Sequence, residues 1–136
     1  MSDDEFLAAL ESCLLKEQDF GHAAHVRAAY LYSRSAGFAG ALEKIRRALC
    51  SYAAALGKAE RFHETITVAC LTLIRQQLHE RGDGGGWEGF AQANPEFLER
   101  DLLLKHYPRT QLESELARKS FVLPRYSGAA KPYAQP

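Results

Sequence analysis

The stretch Ala39-Gly40-Ala41-Leu42-Glu43-Lys44-Ile45-Arg46-Arg47-Ala48-Leu49-Cys50-Ser51-Tyr52-Ala53-Ala54-Ala55-Leu56, closed by Gly57, decides the fold class. Ala41, Leu42, Ile45, Leu49, Tyr52 and Leu56 recur at helical spacing and form one apolar stripe, while Glu43, Arg46 and Arg47 fall outside it. A strand would alternate residue by residue; this pattern belongs to a helix of about 3.6 residues per turn with one buried face. Glycine just past the last stripe residue is a natural C-terminal stop.

The same reading extends to either side. Ser2 and Glu5 have the spacing of a capping box, and Phe6, Leu7, Leu10 and Leu14 follow at helical intervals. A second helix is expected from about Asp19 to Ala36. It is apolar around most of its circumference, with Arg27 and Arg34 on the wet side, so it should lie at the centre of the fold. A fourth is expected from about Glu60 to Glu80, stopped by Gly82. Asp83-Gly84-Gly85-Gly86 lacks the lysine of a phosphate loop and reads as a turn. Asn94-Pro95-Glu96 reads as a helix start, with Asn as cap and Pro at the first helical position. Thr110 and Glu113 form a further capping pattern before a short helix ending near Lys119.

No segment alternates convincingly as a strand, and there is no internal repeat. The expected fold is all-α: an irregular bundle of four long helices plus short C-terminal helices, forming a single domain over residues 1–124. A mobile tail rich in Gly, Ala and Pro is expected over 125–136.

Composition limits the function classes. A chain of 136 residues with 46% hydrophobic and 25% charged residues is globular and can bury a core without staples. Lys+Arg and Asp+Glu are equal at 17 each, so no generic affinity for polyanions is expected, and nucleic acid is not an expected partner. No apolar run approaches a membrane span, so no membrane partner is expected either. Cys13, Cys50 and Cys70 lie far apart with no metal-type spacing, which suits free thiols and a cytoplasmic setting. The oligomeric state is not legible.

The chemistry-bearing residues cluster on the second and fourth helices. Asp19, His22 and His25 follow one another at intervals of three, which would place both imidazoles on neighbouring positions of one surface. On the fourth helix, His63, Thr67, Cys70 and Ile74 would share one direction, setting His63 in the middle of an apolar stripe. A buried imidazole needs partners, because stranding a ring nitrogen costs roughly 1–3 kcal/mol. A metal held by His22, His25, His63 and Glu64 would satisfy that need. Glu64 would also be the catalytic carboxylate, with Thr67 and Glu60 standing behind the ligands to orient a ring. Glu60-x-x-His63 has the spacing used in di-iron carboxylate bundles and Asp19-x-x-His22 is a loose counterpart, but the remaining carboxylates of that pattern are not evident. A mononuclear centre of iron, manganese or zinc needs fewer assumptions.

Phe20-x-His22-x-x-His25 and, further on, Phe62-His63-Glu64-Thr65-Ile66-Thr67 resemble a family of small bacterial all-helical proteins with FxHxxH and [YF]HETIT motifs. The likeness runs over roughly residues 18–124 and includes Ala117-Arg118 and Phe121-Val122-x-Pro124. It implies that His22, His25, His63, Glu64 and Thr67 are motif residues, and it assigns no activity, substrate or cofactor.

Three readings therefore stand side by side. The first is a small helical metalloprotein, a non-haem metal-dependent enzyme or accessory protein acting on a small molecule. The second is a metal-free pocket that binds a ligand or uses His63 and Glu64 as acid and base. The third is a helical protein-interaction module. A purely structural role for the histidines competes with the first two, since His63 could bond a tyrosine and Glu64 could pair with a surface cation.

Overall fold

The computed structural model describes residues 1–125. Residues 126–136, which make up nearly all of the expected tail, lie outside the described residues. Among the described residues the fold is all-helical, with no strand. It comprises α1 (Asp3–Glu11), α2 (His22–Ser35), α3 (Phe38–Ala55), α4 (Glu64–Arg81), α5 (Trp87–Ala93), α6 (Arg109–Leu112) and α7 (Glu115–Lys119). Short 3₁₀ turns at Glu17–Asp19, Ala59–Arg61, Pro95–Leu98 and Leu102–Lys105 join them. No helix among the described residues is long and apolar enough to cross a membrane.

The α3 stripe does what its period requires. Ala41, Ile45, Leu49 and Tyr52 are buried in the main core, and Leu56 packs against it half-buried. Helix α2 occupies the middle, packing against α3, α4, α5 and the Pro95–Leu98 turn, with Val26, Ala28, Ala29, Tyr30 and Tyr32 buried. A second, smaller cluster of Ala69, Leu103, Tyr107 and Leu112 lies on the other side of α4, with Ile66 and Leu73 packed against it. At the N-terminus the capping box forms: Ser2 Oγ accepts from the Glu5 N–H at 3.1 Å, and Glu5 accepts from the Ser2 N–H at 3.0 Å.

Several boundaries differ from the expectation, each for a local reason. Helix α1 stops at Glu11, because Cys13 takes a left-handed backbone (φ 62°) and turns Leu14 into solvent. Asn94 stands at the start of a short 3₁₀ turn rather than an α-helix, and its side chain makes no capping bond there. Instead it bonds back to the Phe90 carbonyl and accepts from Gln77, and Pro95 opens the turn. Thr110 and Glu113 form no capping box; Ser114 caps α7, accepting from the Ala117 N–H. Helix α5 was not anticipated. It folds back so tightly that a Cβ on Gly89 would lie 1.9 Å from the Gly84 carbonyl oxygen, a contact only glycine permits.

The two differences that matter most fall at the histidine motifs. Helix α2 begins at His22 rather than Asp19, and α4 at Glu64 rather than Glu60. Asp19 and Glu60 lie in the preceding 3₁₀ turns, so neither Asp19-x-x-His22 nor Glu60-x-x-His63 runs along a single helix.

Candidate functional site

The α4 start is set by His63 itself, which is its N-cap in extended conformation (φ −129°, ψ 110°). Its Nδ1 accepts from the Ile66 N–H at 3.1 Å, filling the place usually taken by a Ser, Thr or Asp oxygen. Nε2, carrying the ring proton, donates to the Leu112 carbonyl at 2.7 Å. The two bonds require the same neutral tautomer, with the proton on Nε2 and the lone pair of Nδ1 already engaged. Both ring nitrogens are thus occupied, Nδ1 in capping α4 and Nε2 in joining it to α6.

The remaining residues of that motif are committed in the same manner. Glu64 receives Arg46 from α3, with Nε 3.0 Å from Oε1 and a second contact from Nη2 to Oε2. Such a two-pronged pair fixes α4 against α3. Thr65 is fully buried; its hydroxyl donates to the Ser120 carbonyl at 2.8 Å and accepts from the Val122 N–H at 3.1 Å. Thr67 donates back to the His63 carbonyl at 2.8 Å. Glu60 is exposed, and its backbone carbonyl takes a 3.1 Å hydrogen bond from Arg118.

The two helix α2 histidines part company. His22 Nε2 donates to the Phe97 carbonyl at 2.9 Å, fastening the start of α2 to the Pro95–Leu98 turn. His25 does something else. It is half-buried as a residue, but its Nε2 is completely enclosed and has no hydrogen-bond partner. Its ring stacks beside Phe20, centroids 6.5 Å apart at 24°, and Phe20 in turn meets Tyr52 at 5.2 Å. Burial, with His22 nearby, pushes the His25 imidazole down to about 4, so it is neutral at neutral pH.

His25 and His63 do share a space. A cavity of about 270 Å³ lies between the α2 start, the C-terminal half of α3 and the α4 start. Phe20, Leu49, Tyr52, Leu56, Phe62 and Ile66 give it apolar walls. His25, His63, Thr67, Lys58 and Arg61 are its polar contributors. Of these, Thr67 and both nitrogens of His63 are bonded, and the Tyr52 hydroxyl on the wall donates to the Leu15 carbonyl at 2.7 Å. Lys58 and Arg61 both pair with Glu17. Nε2 of His25 is left unpartnered. His22, Glu64 and Glu60 do not line the cavity.

The structure therefore brings His25, His63 and Thr67 together and sends His22, Glu64 and Glu60 to separate structural contacts. Among the described residues, no three His, Cys, Asp or Glu side chains are gathered as ligands for one metal ion. Sequence reasoning missed Phe20, Lys58 and Arg61 as site residues. The available signal was two cations flanking a short break, Lys58-Ala59-Glu60-Arg61, directly before an aromatic-histidine pair. No family model, no curated protein and no solved structure matches the chain.

Proposed function

We propose that this chain is a metal-free ligand-binding module whose cavity takes up a small, largely apolar molecule with one hydrogen-bonding group for the His25 ring. The observation that carries the reading is a largely apolar cavity with the His25 ring in its wall, a ring whose Nε2 has no hydrogen-bond partner. A ligand hydroxyl or amide that meets this ring would gain a hydrogen bond worth about 0.5–1.5 kcal/mol. Pockets for drug-sized ligands measure about 300–1,000 Å³, and the 270 Å³ here fits a single ring or a short chain.

Binding is favoured over acid–base catalysis. Both ring nitrogens of His63 are already bonded, Glu64 is paired with Arg46 outside the cavity, and His25, held at about 4, is a weak base under neutral conditions. A metal centre built from His22, His25, His63 and Glu64 would require His63 to release its cap and Glu64 to release Arg46. The site lies where α2, α3 and α4 meet, in what we read as an irregular bundle. Three free thiols, Cys13, Cys50 and Cys70, support a cytoplasmic setting.

The test is titration with 2-(4-hydroxyphenyl)ethanol, a neutral probe with one ring and a hydroxyl at each end, followed by the ¹⁵N resonances of the histidine rings. Saturable binding with the His25 ring resonances moving most is the expected result. A His25→Phe variant that stays folded should lose at least about tenfold in affinity, the equivalent of 1.4 kcal/mol. An unmoved His25 ring at saturating probe overturns the reading, and stoichiometric metal in the purified protein, lost on His22→Ala, would reinstate the metal centre.

A further inference from the structure

We infer that the natural ligand of this cavity is a small amphiphilic acid, its carboxylate received by Lys58 and Arg61, and that Glu17 holds the place of that carboxylate while the cavity is empty. The inference rests on the ligand-binding reading and adds the chemical class of the ligand.

Lys58 and Arg61 both line the cavity, on the short segment that joins α3 to α4. Two cations stand on the wall of a largely apolar space, and they converge on a single acceptor. Glu17 Oε2 receives Lys58 Nζ and, at 3.1 Å, Arg61 Nη1. One carboxylate thus answers two positive charges. Asp19 shares the Glu17 turn but forms no ion pair with either cation. The two cations, Lys58 first, hold the Glu17 carboxyl below the usual carboxylate range.

The pairing is also easily exchanged. Glu17 is 47% exposed and Arg61 63%, and exposed pairs of this kind contribute at most about 1 kcal/mol. Glu17 lies three residues before Phe20, whose ring forms the cavity wall beside His25. A ligand carboxylate could therefore take the cations while Glu17 turns to solvent, with no charge left unpaired in the cavity. An inorganic anion would gain the cations but fill none of the space between Phe20, Leu49, Phe62 and Ile66. The apolar body and the acid group belong to one molecule.

The experiment compares 4-hydroxyphenylacetate with 2-(4-hydroxyphenyl)ethanol, two probes of nearly equal size that differ in charge, by calorimetry on the full chain. The acid should bind about tenfold more tightly at low salt and lose that advantage at high salt. Glu17→Gln should raise affinity for the acid several-fold and leave the alcohol unchanged. The double variant Lys58→Gln, Arg61→Gln should abolish the preference. If the alcohol binds and moves the His25 ring but the acid binds no better, with Glu17→Gln without effect, the acid assignment falls and the cavity reading stands. If neither probe binds, both fall. Inorganic phosphate competing as well as the acid would also overturn the assignment, because the apolar walls would then contribute nothing.

Discussion

Replacing His63 by alanine separates the structural work of this residue from any role as a ligand. The substitution removes two bonds at once. Losing an N-cap costs about 1 kcal/mol, here the Nδ1 contact to the Ile66 N–H. Losing the net contribution of the Nε2 bond to the Leu112 carbonyl costs about 0.5–1.5 kcal/mol more. A total near 2 kcal/mol is expected, which in urea lowers the unfolding midpoint by about 1 M for an m-value near 2 kcal/mol/M. His63→Asn is the informative control. Asparagine is among the best N-caps but is too short to reach α6 as imidazole does, so it should recover about 1 kcal/mol and no more. Equilibrium urea unfolding followed by far-ultraviolet circular dichroism measures both variants. A loss of only a few tenths for His63→Ala, or an asparagine variant no better than alanine, would refute the capping account.

Three further outcomes are expected. His25 titrates at about 4 in the folded chain against 6.5 as the ordinary value. The unfolded chain binds the extra proton between those pH values, so this contribution is complete above pH 6.5 and is lost as pH falls towards 4, by up to about 3 kcal/mol. Unfolding free energies across that window should lose this slope in a His25→Leu variant. Thr65→Val keeps the shape but strands the Ser120 carbonyl and the Val122 N–H, so about 1–3 kcal/mol should be lost. Limited proteolysis should then cut first between Ser120 and Arg125; unchanged protection there would contradict the clamp. Gly89→Ala must push the 84–86 turn away from α5, and thermal unfolding should show a loss above about 2 kcal/mol.

The helical class was legible because a long amphipathic period is hard to mistake, as the α3 stripe shows. The site was legible only in part. His63-Glu64-Thr65-Ile66-Thr67 reads as helix interior, since no Ser, Thr, Asp or Asn stands just before it to announce a cap. Histidine filling that role shifted the expected start by four residues, and with it the face on which His63 was placed. The error carried Glu60 into the site and hid the 3₁₀ turn that delivers Lys58 and Arg61. Spacing also could not show that His22 and His25, though neighbours, would choose a distant carbonyl and a cavity respectively. Helix α5 escaped because seven residues are too few to display a period. Ser2-x-x-Glu5, by contrast, carries its geometry in the spacing alone, and it formed as read.

The hydrogen bonds from His22 to Phe97, His63 to Leu112 and Thr65 to Ser120 all run forward along the chain, across 75, 49 and 55 residues. A chain emerging from the ribosome therefore completes α2, α3 and α4 before any of these acceptors exists. The α4 start can be capped by Nδ1 at once, but its outer anchor waits for α6, and its threonine clasp waits for Ser120. Closing such distant contacts late is the slow kind of folding step. A chain that ended after α4 would have synthesised every residue lining the cavity without the partner that holds His63 in place, so the segment from Phe97 to Ser120 acts as the brace that completes a pocket encoded wholly before it.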